Sequence, residues 1–240
     1  MKIGFVSDAH GNPVGLANCI ELLRAQGADR LYFLGDAIGY LPYWREVLQI
    51  LRTQNVVCIR GNHEDMMLSG EITEAKNRVY NISAERTASI AEYMSWISGW
   101  PIQLDLEFDG MKLLLVHGSP VDPLNGYVYP DTDLAELIPL DRDAVLMGHT
   151  HRPFVRHVEE RIAANVGSCG LPRDVGNLSS CAMLDTSSRS VSIFRTEFDP
   201  NLLNLAGQLV HDSVRNCLAR SGPYYGELVP NDAGSRSKKV

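Results

Sequence analysis

Five of the seven histidines in this chain sit in short clusters beside Asp, Asn or Gly. The clusters are Asp8-Ala9-His10, Gly61-Asn62-His63-Glu64, His117-Gly118 and Gly148-His149-Thr150-His151, and Gly35-Asp36 adds a further carboxylate. Each follows a run of strand-forming residues, so the side chains should gather along one edge of a sheet, where an α/β fold binds its ligands. Asp8, His10, Asp36, Asn62, His117, His149 and His151 together offer carboxylate, amide and imidazole donors without a thiolate. Such a set suits Mn, Fe, Zn or Co and differs from a thiolate-bound structural zinc site. Seven ligands exceed the needs of one ion and match two ions that share a bridging carboxylate.

The elements that must position them read as alternating strands and helices. Strands are expected over residues 2–6, 30–34 and 56–59, with helices over 13–26 and 42–52, a spacing that means βαβ units and a parallel sheet. Asn12 fits an N-cap before Pro13, and Gly27 fits the stop of that helix. Residues 64–99 carry helical periodicity over 72–81 and 84–98 and no strand signal, which predicts a helical insertion beside the site. That insertion suits a lid, a dimer surface in a homo-oligomer, or packing. From residue 102 the pattern alternates: 102–108 and 111–116 form a hairpin about Asp109-Gly110. Further strands are expected near 144–147, 153–157, 161–166, 180–185 and 190–196. A last helical stretch covers about 202–220, and a loosely held tail follows over 221–240. With no dividing linker or repeat, residues 1–220 read as one domain.

Composition narrows the function classes. The 240 residues, 45% of them hydrophobic, are enough for a sizeable core. A formal net charge of −7 gives no basic field for nucleic-acid phosphates. No stretch has transmembrane length, and the opening residues begin a strand at once, so no membrane association and a cytoplasmic location are expected. Cys19, Cys58, Cys169, Cys181 and Cys217 are odd in number and widely spaced, and read as idle thiols.

The order of motifs, D-x-H, G-D, G-N-H-E, H-G and G-H-x-H, resembles the calcineurin-like metallophosphoesterase superfamily from residue 1 to about 197. Within it, the stretches 7–12, 116–120 and 167–174 (SDAHGN, VHGSP and GSCGLPRD) are similar to the small single-domain prokaryotic phosphodiesterase-like branch. The resemblance implies an α/β fold, a four-layer α-β-β-α sandwich of two mixed sheets flanked by helices, with a two-metal site at the strand C-terminal ends. It implies that Asp8, His10 and His151 hold one ion, that Asn62, His117 and His149 hold the other, and that Asp36 bridges them. His63 would be the general acid, an imidazole near its ordinary pKa that protonates the leaving oxygen. The ions would be two divalent transition metals, Mn foremost, with Fe, Zn, Co or Ni as the others, clamping a phosphoryl group and acidifying water. A small phosphodiester or phosphomonoester is the substrate this implies. Asn12 and Arg173 are candidate contacts to its phosphate, with capping and ion pairing as their alternatives.

The Gly35-Asp36-Ala37-Ile38-Gly39-Tyr40 stretch lacks the Arg-Gly that follows this motif in protein Ser/Thr phosphatases, which disfavours that activity. Two other functions stand beside the small-ester reading. One is a nucleotide polyphosphate hydrolase, in which the segment from Tyr40 to Trp44 would stack a base. The other is a non-catalytic metal-binding scaffold.

Overall fold

The computed structural model of the chain describes residues 1–230, which form two mixed β-sheets packed face to face and flanked by helices. In the first sheet, β1 (Lys2–Val6), β2 (Arg30–Phe33) and β3 (Val57–Cys58) run parallel. Helices α1 (Pro13–Ala25) and α2 (Trp44–Thr53) connect them. Asn12 caps α1 by accepting from the Gly15 amide, Pro13 fills the first turn, and Leu16, Cys19, Ile20 and Leu23 are buried against the sheet. Between β3 and the second sheet lie four short helices, α3 (Asn62–Ser69), α4 (Glu74–Tyr80), α5 (Ala84–Ser89) and α6 (Met94–Ser98).

The second sheet contains β4 (Gln103–Phe108), β5 (Met111–Val116), β6 (Ala144–Met147), β7 (Phe154–Val158) and β8 (Arg161–Asn165), in the order β4-β5-β6-β8-β7. Period-two alternation sorts its side chains between faces. Leu113, Leu115, Leu146 and Ala164 meet Ile3, Phe5, Tyr32 and Leu34 in the core between the sheets. Leu114, Val116 and Val145 face outward under Val128, Leu134 and Ile138. This outer layer, residues 118–143, contains turns and no α-helix, because Pro120, Pro123, Pro130 and Pro139 recur too often for one to propagate.

Two strands, β9 (Leu178–Asp185) and β10 (Ser190–Glu197), return antiparallel to extend the first sheet beside β1. The single helical stretch expected over 202–220 does not form. A 3₁₀ turn at Pro200–Leu203 is followed by α7 (Asp212–Leu218), because Asn204 and Gly207 adopt left-handed φ of 44° and 71°. The tail expected to be loosely held from residue 221 contains β11 (Glu227–Leu228), paired parallel to β10 and anchored by a hydrogen bond from Arg195 to the Tyr225 carbonyl. Residues 231–240 of that tail lie outside the described residues.

Candidate metal centre

Every candidate ligand lies on a connection leaving a strand. Asp8 and His10 follow β1, Asp36 follows β2, Asn62 opens α3 just beyond β3, His117 follows β5, and His149 and His151 follow β6. Five of them hold left-handed backbone: Asp8 (φ 55°), His10 (47°), Asp36 (64°), His149 (66°) and His151 (58°). Such conformations are unfavourable for non-glycine residues and persist where surrounding contacts enforce them. Cross-loop hydrogen bonds do so here: the Asp8 amide donates to Gly35 O (2.9 Å) and the His10 amide to Asp36 O (2.9 Å). Similarly, the His149 amide donates to Asp8 Oδ2 (3.0 Å) and the His63 amide to Asp36 Oδ1 (2.9 Å).

The side chains converge in buried groups. His10 Nε2 lies 3.0 Å from His151 Nε2, and Asp8 Oδ1 lies 3.2 Å from His151 Nε2. Asp36 Oδ2 lies 3.3 Å from His117 Nε2, which is itself 3.1 Å from Asn62 Oδ1. The ligand atoms of Asp8, His10 and His151 fall within 4.8 Å of one another, as do those of Asp36, His117 and His149. Asp36 also reaches the first group, 3.6 Å from His10 Nε2. One carboxylate thus stands between both sets.

These residues fit a pair of divalent cations. The Nδ1 atoms of His10, His117 and His151 lie 3.0, 2.7 and 2.5 Å from the carbonyl oxygens of Ile38, Leu34 and Leu171. A carbonyl only accepts, so each Nδ1 carries a proton and each Nε2 faces the centre, free to offer a lone pair wherever the ring is neutral. Two such lone pairs face one another at His10 and His151, an arrangement that a cation would relieve. Asp8 Oδ1 and His149 Nε2 are likewise buried without a hydrogen-bond partner.

Electrostatics agree with metal-ready ligands. Burial pushes the Asp8 and Asp36 carboxyls upward, but His151 and His10 beside Asp8, and His117 and His63 beside Asp36, hold both well below the usual carboxylate range. Burial brings His149 and His151 down to about 4, aided by His117 and Arg173 respectively, so both are neutral near pH 7. His117 is the exception: burial lowers it, and Asp36 overcomes this to raise it to about 10.

His63 packs against Tyr80, His10 and Tyr40, with ring centroids 4.5, 4.7 and 5.0 Å away, and its Nε2 lies 3.8 Å from Asp36 Oδ2. Gly39 seats this ring: its φ is +94°, and a side-chain carbon there would stand 2.1 Å from His63 Nδ1. The expectation of an ordinary pKa at His63 is not met. Burial, opposed by Asp36, lowers it to about 3.

Asn12 is engaged at both ends, capping α1 and donating from Nδ2 to Gly170 O at 2.8 Å. Arg173 is half-buried beside the Tyr40 hydroxyl, 3.5 Å away. Of the segment from Tyr40 to Trp44, only Tyr40 packs on the centre. Leu41 and Trp44 are core residues, and Tyr43 donates to the Leu203 carbonyl.

Three residues escaped the sequence reading. Glu64 is fully buried and accepts from the amides of Asp36 (2.8 Å), Gly61 (2.9 Å), Ala37 (2.8 Å) and Ile38 (3.2 Å), thereby shaping the loop that carries the bridging carboxylate. Burial and the nearby Asp36 raise its pKa to about 7. Tyr80 on α4 covers His63, and the Tyr127 ring from the outer layer lies tilted against His149, with centroids 4.2 Å apart. The final position of the G-N-H-E motif signalled Glu64; no spacing signalled the tyrosines.

Two layered mixed sheets carry at their strand ends an Asp-linked pair of His/Asp groups that could hold metal ions. The chain belongs to the calcineurin-like phosphoesterase superfamily, whose domain matches residues 1–189. It is 27% identical over 196 residues to phosphodiesterase YfcE of Escherichia coli K12, covering 80% of this chain and 91% of that one. An uncharacterized protein of Methanocaldococcus jannaschii is 26% identical over 215 residues, 82% and 88% of the two chains. Among solved structures, a metallophosphoesterase from Sphaerobacter thermophilus is 25% identical with a TM-score of 0.76, covering 91% of this chain and 98% of that one. A hypothetical protein from Pyrococcus horikoshii shares the fold, with a TM-score of 0.80, 21% identity and coverage of 95% and 99%. No helix among the described residues is long and apolar enough to cross a membrane.

Proposed function

We propose that the protein hydrolyses small phosphate esters with two divalent transition-metal ions, manganese foremost. The observation that carries this reading is Asp36, one buried carboxylate placed between two groups of metal-competent side chains. In it, Asp8, His10 and His151 hold one ion, Asn62, His117 and His149 hold the other, and Asp36 serves both. When bound, the ions supply Lewis acidity and acidified water for attack on phosphorus. The rest belongs to this chain. The backbone carbonyls of Ile38, Leu34 and Leu171 fix three imidazoles with Nε2 toward the centre. Tyr40, Tyr80 and Tyr127 line the site around His63 and His149.

His63 donates the proton to the departing oxygen. Burial lowers its pKa, and the negative charge of a bound phosphate would act in the opposite sense. Arg173 contacts a non-bridging phosphate oxygen, and Asn12 holds the loop between β1 and α1. Five free, buried cysteines support a reducing compartment such as the cytoplasm. The base-stacking reading loses its support, because the segment from Tyr40 to Trp44 is mostly core.

Metal-stripped protein given back Mn²⁺ is expected to hydrolyse p-nitrophenyl phosphate or its bis-ester. In this reading His63→Ala slows an alkyl phosphate by about 10²-fold or more and the p-nitrophenyl ester far less, since only a poor leaving group needs the proton. Equal slowing of both would remove His63 from the acid role. Metal binding without turnover of any ester would favour the scaffold.

A further inference from the structure

We propose that Arg173 is held by the C-terminal segment as a fixed anion clasp, and that it makes this centre prefer a phosphomonoester, or a terminal phosphate group, over a diester. The proposal rests on the phosphoesterase reading above and adds the substrate class.

Arg173 stands at the centre. Its amide donates to His151 O (3.3 Å), its guanidinium meets the hydroxyl of Tyr40, and the Tyr40 ring lies 4.6 Å from that of His10. Among the described residues no carboxylate pairs with it, and a 3.5 Å contact to Tyr40 does not satisfy a five-donor fork. Its neighbour Asp174 is diverted: both carboxylate oxygens go to the fully buried Arg195, at 2.5 and 2.8 Å. Arg173 therefore keeps its charge unneutralised beside the metal ligands. A half-buried guanidinium with one long hydroxyl contact and no carboxylate partner suits an anion.

The hold on Arg173 comes from beyond residue 189, where the family match ends. Arg220 donates to Arg173 O (2.8 Å) and accepts from the Gly176 amide (2.9 Å), while the Cys217 thiol reaches Pro172 O (3.2 Å). Gly176 lies so close to α7 that a side-chain carbon there would stand 2.0 Å from Cys217 O. Arg195 in turn donates to Tyr225 O (3.0 Å) and lies over the Tyr224 ring, which ties β11 into the same assembly. Asp174 and Arg220 are thus positioning residues for Arg173.

The substrate class follows from oxygen count and charge. A diester offers two non-bridging oxygens and one negative charge, which the metal ions held by Asp8, His10, Asp36, Asn62, His117, His149 and His151 could neutralise without Arg173. A monoester has a third oxygen and a second charge, which a guanidinium fork fits.

The test uses manganese-loaded full-length protein as wild type, Arg173→Ala, Asp174→Asn, Arg220→Ala and the Arg173→Ala/Asp174→Asn double variant. Metal content is checked for each. Calorimetry gives Kd for inorganic phosphate, and kinetics give KM for p-nitrophenyl phosphate and its bis-ester. Arg173→Ala and Asp174→Asn should each weaken phosphate binding about tenfold, the scale of one charge-assisted contact, with monoester KM rising more than diester KM. The double variant should match Arg173→Ala alone, because Asp174 acts through Arg173. Should Asp174→Asn fail to fold, the exposed Arg220→Ala carries the same comparison.

The clasp is overturned if Arg173→Ala binds phosphate as wild type does, if both esters suffer equally, or if Asp174→Asn adds its full loss to Arg173→Ala. Hydrolysis of both esters with no loss in Arg173→Ala would sink the clasp and leave the phosphoesterase reading intact. A wild type that hydrolyses neither ester yet binds phosphate through Arg173 would do the reverse.

Discussion

Replacing Glu64 by Gln keeps the shape of the side chain and removes one of its two acceptor oxygens. In the native site each carboxylate oxygen accepts two amides: Asp36 and Gly61 on Oε2, Ala37 and Ile38 on Oε1. A Gln amide serves one of these pairs and points an NH₂ at the other, so two buried amides lose their acceptor and meet a donor. Above pH 7, where Glu64 is ionised, hydrogen bonds to this charged group are worth about 1.5–3 kcal/mol each. The neutral side chain is easier to bury, which offsets part of the loss and leaves about 3 kcal/mol. With a urea slope of about 3 kcal/mol per M, the unfolding midpoint should drop by roughly 1 M. Because these amides shape the Asp36 loop, manganese affinity should fall about 10- to 100-fold, the usual scale for an outer-shell partner. Urea unfolding and metal titration measure the two effects. An unchanged midpoint together with unchanged metal affinity would refute the view that Glu64 organises the bridging loop.

Gly39→Ala should act on His63 without touching a metal ligand, since the added carbon would stand 2.1 Å from its Nδ1 in a backbone with φ +94°. Stability should fall by about 1–2 kcal/mol, and alkyl phosphate turnover by about 10²-fold, with p-nitrophenyl phosphate much less affected. Comparable loss with both esters would show that the ring is not displaced from an acid role. The stability of metal-free protein should peak near pH 6.5. His63 (about 3), His149 (about 4) and His151 (about 4) fall below their ordinary 6.5, so the unfolded chain binds more protons and stability rises with pH up to that value. Glu64, raised from 4.5 to about 7, opposes with one proton over most of this window, leaving a net slope of about 2 kcal/mol per pH unit. Above pH 6.5 the sign reverses, as His117, raised to about 10, loses its advantage with rising pH. Urea midpoints at pH 5, 6.5 and 8 measure this, and a midpoint highest at pH 5 would contradict it.

Much of the fold was legible because apolar runs and turn residues agree locally: Asn12-Pro13 and Gly27 bound α1, and Asp109-Gly110 turns β4 into β5. The donors could be found for the same reason, each lying within a few residues of the end of a strand. What could not be read depends on backbone partners and on distant contacts. Glu64 meets amides 26 to 28 residues upstream, and amides carry no side-chain signature. Tyr80 and Tyr127 reach the site from an inserted helix and a turn-rich layer, where neither period nor motif marks a lining residue. The stretch 202–220 had helical composition, but Asn204 and Gly207 enter left-handed backbone and tertiary packing divides it. The strand at Glu227–Leu228 is two residues long, below what periodicity detects, and owes its place to pairing with β10.

The central claim is one carboxylate serving two ions, and metal stoichiometry tests it most directly. Calorimetric titration of stripped protein with Mn²⁺ is predicted to show two ions per chain in the wild type, with ester hydrolysis appearing as the second site fills. Asp36→Asn should weaken both binding events and abolish hydrolysis. A single ion per chain, or an Asp36→Asn protein that binds two ions as tightly as the wild type, would contradict the account.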